Sequence, residues 1–85
     1  MKIEVLGTGC AKCRKLHAEA EKAVASAGVS AVVEKVEDLE GIMRYGVALT
    51  PALVIDGEVK SVGTVPRASR IEAWIRAAAG SEGNR

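Results

Sequence analysis

Phenylalanine is absent from this 85-residue sequence, and Trp74 and Tyr45 are its sole aromatic residues. A core must then be assembled from Val, Ile, Leu and Ala, which an apolar share of 48% allows. So few rings also remove the stacking surfaces on which single-stranded nucleic acid is held. Nor is there an excess of charge of one sign. Twelve Lys and Arg against eleven Asp and Glu leave a net charge of +1, and the signs are interspersed along the chain, so nucleic acid is excluded as a partner. Long hydrophobic runs are missing too. The opening Met1-Lys2-Ile3-Glu4-Val5-Leu6 is too short and too interrupted by charge for a signal peptide or a membrane span, and a cytoplasmic protein with no membrane partner is expected. A chain of this size supports one core and leaves no room for a large cofactor pocket, so no bound cofactor is expected.

Cysteine is scarce as well, with only Cys10 and Cys13. Two cannot form the multi-bridge framework of small secreted domains, and in a reducing compartment two are seldom a permanent staple. Their setting therefore decides their meaning. Lys2 to Leu6 reads as a strand that runs into the loop Gly7-Thr8-Gly9, and Cys10 follows at once. From Ala11 to Ala27 apolar residues recur at intervals of three and four, through Cys13, Leu16, Ala20, Ala23, Val24 and Ala27, and Gly28 supplies a stop.

The rest of the chain completes an α/β pattern. Ala31 to Val36 is a second strand, which should pair in parallel with the first. Asp38 can cap a short helix with Leu39, Ile42 and Met43 inward and Gly46 past its end. Thr50-Pro51 opens the strand Ala52 to Ile55, and Asp56-Gly57 predicts a tight hairpin into Glu58 to Val62, because a type I′ turn needs positive φ at both central positions. Ser69 and Glu72 fit a capping box ahead of a helix whose face is Ile71, Trp74, Ile75 and Ala78. The order strand, helix, strand, helix, strand, strand, helix predicts a four-stranded mixed sheet flanked by helices, forming one domain over residues 1–79 with a polar tail at 80–85.

A Cys-x-x-Cys pair at a helix start suits reversible disulfide chemistry, since the two Cβ atoms come within bridging reach in the first turn and both redox states fit one scaffold. Unpaired backbone N–H groups and the positive end of the helix dipole favour a thiolate at Cys10, and Lys12, Arg14 and Lys15 add positive charge. Cys10 is thus the expected nucleophile, with a pKa below the free value of about 8.5. Cys13, on the face shared with Leu16 and Ala20, is the expected resolving thiol. Two other readings stand beside this one: a structural pair without redox use, and a soft metal ion held by the two thiolates. With His17 the chain offers three ligands at most, short of the four of a closed zinc site, and His17 among charged neighbours reads as a solvated helix residue, so no metal site is expected.

The run Gly7-Thr8-Gly9-Cys10-Ala11-Lys12-Cys13, the later Thr50-Pro51-Ala52-Leu53-Val54-Ile55-Asp56-Gly57 and the element order resemble thioredoxins. More closely, they are similar to the small thioredoxin-like or glutaredoxin-like redox-active disulfide proteins of archaea and bacteria, and the likeness extends to about Ala79. It implies a thiol–disulfide oxidoreductase with Cys10 and Cys13 catalytic, and a cis proline at Pro51 beside the disulfide. Thr50 and Pro51 are then expected to bind substrate: Pro51 lacks an N–H, and the backbone of Thr50 can accept an extended segment as an added strand. The likeness further implies that Glu4 takes the place of a buried carboxylate that assists proton transfer to the second cysteine. Implied partners are disulfide-containing protein substrates, with a thioredoxin reductase or a low-molecular-weight thiol as electron donor; a monomer is expected. Gly9 before the pair and Ala11-Lys12 within it replace the Trp and Gly-Pro of the familiar thioredoxin signature. The alternative reading is a soft-metal carrier using the same cysteines. Heavy-metal-associated domains also place Cys-x-x-Cys after a first strand, but they close with a strand after the last helix, and the run after Ile75 does not read as one.

Overall fold

The computed structural model describes residues 1–9 and 11–83, with side chains described as far as residue 79. Its elements are β1 (Lys2–Leu6), α1 (Ala11–Ala27), β2 (Val32–Val36), α2 (Leu39–Arg44), β3 (Ala52–Ile55), β4 (Glu58–Val62) and α3 (Ala68–Gly83). The strands form one sheet in the order β2-β1-β3-β4. β1 pairs in parallel with β2, with Val5 opposite Lys35, and antiparallel with β3, with Glu4 opposite Val54. The expected mixed sheet and element order are both present.

Strand alternation divides this sheet into two chemically different faces. Ile3 and Val5 of β1 and Leu53 and Ile55 of β3 point to the face covered by α1 and α3, where they meet Leu16, Ala20, Ala23, Ile71 and Ile75. Leu6, Ala52 and Val54 point the other way and meet Ile42 of α2, with Val36, Tyr45, Val47 and Val59 around them. The first cluster holds most of the buried apolar volume.

Local chemistry sets the boundaries of the elements. Gly28, at φ +68°, ends α1, and its N–H bonds the Val24 carbonyl at 3.1 Å, closing the last turn in the left-handed form that glycine adopts without strain. In the hairpin, Asp56 and Gly57 have φ 49° and 83°, as a type I′ turn requires. Asp56 ties this turn to β1: its Oδ1 accepts from the Lys2 N–H at 2.9 Å, and its own N–H donates to the Lys2 carbonyl at 2.8 Å. A bulge at Leu53/Val54 lets Lys60 of β4 fall outside the pairing.

Two helices depart from the sequence expectation. Asp38 caps α2, accepting from the Gly41 N–H at 2.8 Å, but Leu39 and Met43 are not inward; they are 67% and 65% exposed, and Ile42 alone is buried. Gly41 accounts for the difference, since a Cβ there would stand 2.7 Å from Val36 Cγ1. The helix leans onto β2 along its Gly41 and Tyr45 side, which turns Leu39 and Met43 outward. At α3 the capping box does not form. The Arg67 carbonyl accepts from the N–H groups of Arg70 and Ile71, Glu72 bonds Arg76 at 2.8 Å, and the Ala68 N–H donates to Glu19 Oε1 of α1 at 2.9 Å. A carboxylate from a neighbouring helix thus fills the capping role, where the positive end of the helix favours it. α3 also continues to Gly83, into the stretch 80–85 expected as a polar tail; once a helix is nucleated, each added residue costs little.

Candidate functional site

The loop after β1 carries the candidate chemistry. Gly7 extends the β1 ladder, its N–H donating to the Val36 carbonyl at 3.0 Å, and by alternation it faces α1 with Ile3 and Val5. Cys13, in the first turn of α1, is 6% exposed and turns its sulfur onto Gly7. A Cβ on Gly7 would collide with that sulfur and lie 3.3 Å from the Cys13 Cβ. Only glycine leaves the sulfur its room, a spatial demand that sequence inspection missed. Gly9 is at φ +87°, a conformation that costs a side chain roughly 1–2 kcal/mol. Its carbonyl accepts from Arg14 Nη1 at 3.1 Å, so a guanidinium is held against the residue that precedes Cys10. Cys10 itself lies outside the described residues.

The Thr50-Pro51 loop arrives at the same place. Thr50 Cβ is 3.8 Å from where a Gly7 Cβ would stand, so Thr50 and Cys13 both flank Gly7. The Thr50–Pro51 peptide bond is cis. Pro51 is fully buried and Thr50 exposed, and the Gly63 N–H donates to the Pro51 carbonyl at 2.7 Å. The chain thereby anchors the proline and presents the residue before it.

Glu4 is in another environment. It is 8% exposed, but it lies on the α2 face, opposite Val54, whereas Cys13 rests on the α1 face. Tyr45 donates its hydroxyl to Glu4 Oε1, and Lys2 Nζ stands 4.0 Å from Oε2. A buried carboxylate requires such partners. The hydrogen bond to Glu4, followed by burial, raises the Tyr45 pKa above its ordinary value. Glu19 shifts the opposite way: the Ala68 N–H, then Lys22, hold its carboxyl below the usual range. His17 pairs with Glu21 across one helical turn, Nε2 to Oε2 at 3.7 Å.

Beneath the Gly7 and Gly9 loop is a cavity of about 20 Å³ lined by Val5, Gly7, Gly9, Cys13, Arg14, Lys35 and Glu37. Lys35 follows Val33 on the row of β2 that faces α1, and Glu37 lies just past the strand's end. Period-two alternation carries that information once the register is known. Among the described residues, no helix is long and apolar enough to cross a membrane.

Comparison with known proteins gives a consistent result. A family model described as a thioredoxin domain matches residues 1–76. A thioredoxin of Methanothermobacter thermautotrophicus is 39% identical over 72 residues, covering 85% of this chain and 94% of that protein. A thioredoxin of Methanocaldococcus jannaschii is 31% identical over 74 residues, covering 87% of this chain and 85% of its own.

Proposed function

Because this chain belongs to the thioredoxin domain family and is a thiol–disulfide oxidoreductase, we propose that its exchange chemistry runs through Cys10 and Cys13. The observation that carries this reading is the seat of Cys13: a buried sulfur in the first turn of α1, lodged against Gly7, where the exposed Thr50 that precedes Pro51 also arrives.

In the reductive direction the Cys10 thiolate attacks one sulfur of a substrate disulfide. A Cys10–substrate bond forms, and the second substrate sulfur leaves with the electron pair of the broken bond. Cys13 then attacks Cys10; the Cys10–Cys13 bond forms, the mixed disulfide breaks, and the first substrate sulfur leaves as a thiolate. Two electrons pass from the protein to its substrate, and no cofactor is needed. Arg14, bonded to the Gly9 carbonyl, places a positive charge where it favours the Cys10 thiolate. Thr50, exposed ahead of the anchored Pro51, offers its backbone to an extended substrate segment.

The substrates on this reading are disulfide-containing proteins, and the electron donor is a thioredoxin reductase or a low-molecular-weight thiol. The protein works as a monomer in the cytoplasm. The test is trapping with Cys13→Ser: partners should stay covalently attached to Cys10 and be released by dithiothreitol. Recovery of no more adduct than with Cys10→Ser would contradict the assignment.

A further inference from the structure

The resolving step needs the Cys13 proton removed, and two carboxylates near the site, Glu4 of β1 and Glu37 just past β2, lie on different sides of the sheet. Glu4 is committed to Tyr45 and Lys2 on the α2 side. Glu37 is on the α1 side, in the wall of the cavity that Cys13 also lines. Its Oε2 comes within 3.3 Å of where a Gly9 Cβ would stand, so the carboxylate reaches under the loop that leads to Cys10. The cavity, at about 20 Å³, has room for a single water, and the Cys13 sulfur, Lys35, Arg14 and Glu37 supply the polar partners such a water requires.

We propose that Glu37 is the proton acceptor for Cys13, working through one water in this cavity. The inference rests on the Cys10–Cys13 assignment made above. In the resolving step the Cys13 S–H proton passes through the water to the Glu37 carboxylate, while the sulfur's electron pair forms the bond to Cys10. The bond between Cys10 and the substrate breaks, and its electron pair leaves on the substrate sulfur. Glu37, an exposed residue, then returns the proton to solvent, from which the substrate thiolate can be protonated. Among the described residues, the ionisable groups lining the cavity are Cys13 and Arg14 from α1, Lys35 from β2 and Glu37 just past its end; Val5 of β1 and the loop residues Gly7 and Gly9 complete the lining. Lys35 and Arg14 offset the negative charge that would otherwise build up between a thiolate and a carboxylate. Removing a positioned base of this kind costs about 10²–10⁴ in a proton-transfer step when nothing replaces it.

Stopped-flow reaction of the reduced protein with dithiobis(nitrobenzoate) separates the two steps. The first nitrothiobenzoate released reports attack by Cys10, and the second reports resolution by Cys13. Glu37→Gln, at an exposed position, should leave the first phase unchanged and slow the second about tenfold or more at about pH 6–7. The deficit should close above about pH 9, where the thiol ionises without help. Glu37→Asp should recover part of the rate, and Glu4→Gln should keep the wild-type second phase. A wild-type pH profile in Glu37→Gln, or the same loss in Glu4→Gln, would overturn the proposal. A second phase that persists in Cys13→Ser would instead overturn the assignment of the cysteine pair on which it rests.

Discussion

The two faces of the sheet are built on different terms. On the α1 and α3 side, two long helices cover a continuous apolar layer from Ile3 to Ile75, and the reactive loop sits at its end. On the α2 side, one short helix covers a smaller cluster, places a carboxylate and a tyrosine hydroxyl beneath it, and leaves Leu39 and Met43 in solvent. The larger apolar layer thus lies on the side where the Cys13 sulfur is seated, and polar burial at Glu4 and Tyr45 lies on the other. Exchange chemistry depends on sulfur positions to within fractions of an ångström, so the division follows from the demands of the reaction.

Several substitutions would break or sharpen this contrast. Leu16→Ala, in the larger cluster, should destabilise by about 2–5 kcal/mol in urea unfolding, and Ile42→Ala on the α2 face should cost less, because the smaller cluster can collapse around it. Equal losses would remove the distinction. Tyr45→Phe leaves a buried carboxylate without its donor and should cost about 1.5–3 kcal/mol, with thiol exchange by the folded protein unaffected; a fall in exchange rate would tie the α2 face to the chemistry. Gly7→Ala should cost about 1–3 kcal/mol from overpacking, and it alone among these changes should depress both phases of exchange, because its Cβ displaces the Cys13 sulfur.

Smaller effects follow from pH. Glu19 has a folded pKa depressed below its ordinary value of 4.5, so its contribution is present above that value and is lost as pH falls through the folded pKa. The α1–α3 contact should weaken in acid, and Glu19→Gln should flatten that part of the stability profile. Tyr45 has a folded pKa raised above its ordinary value of 10.0, so its contribution is present below that value and is lost as pH rises through the folded pKa. Tyr45→Phe should remove this alkaline loss.

Much of this architecture was legible in the sequence because each signal was local. The Asp56-Gly57 turn, the spacing of Leu16, Ala20 and Ala23, and the stop at Gly28 each follow from the backbone preferences of a few neighbouring residues. The orientation of α2 was not legible, since it turns on Gly41 meeting Val36, a contact between elements. The cap on α3 was hidden for the same reason: Ser69 and Glu72 match a local pattern, but Glu19 reaches Ala68 from another helix. Within the site, family likeness directs attention to Glu4. The pairing of β1 with β2 brings Glu37 to the Cys13 cavity, and that depends on a register which composition and spacing do not specify.

The central claim is tested most directly by a redox titration of the whole protein in dithiol buffers, with free thiols trapped by alkylation and Cys10 and Cys13 read by mass. A reversible two-electron transition between about −180 and −300 mV, in which both cysteines change together, is predicted. A pair that stays alkylatable across that range, or that holds a stoichiometric metal ion while reduced, would contradict it.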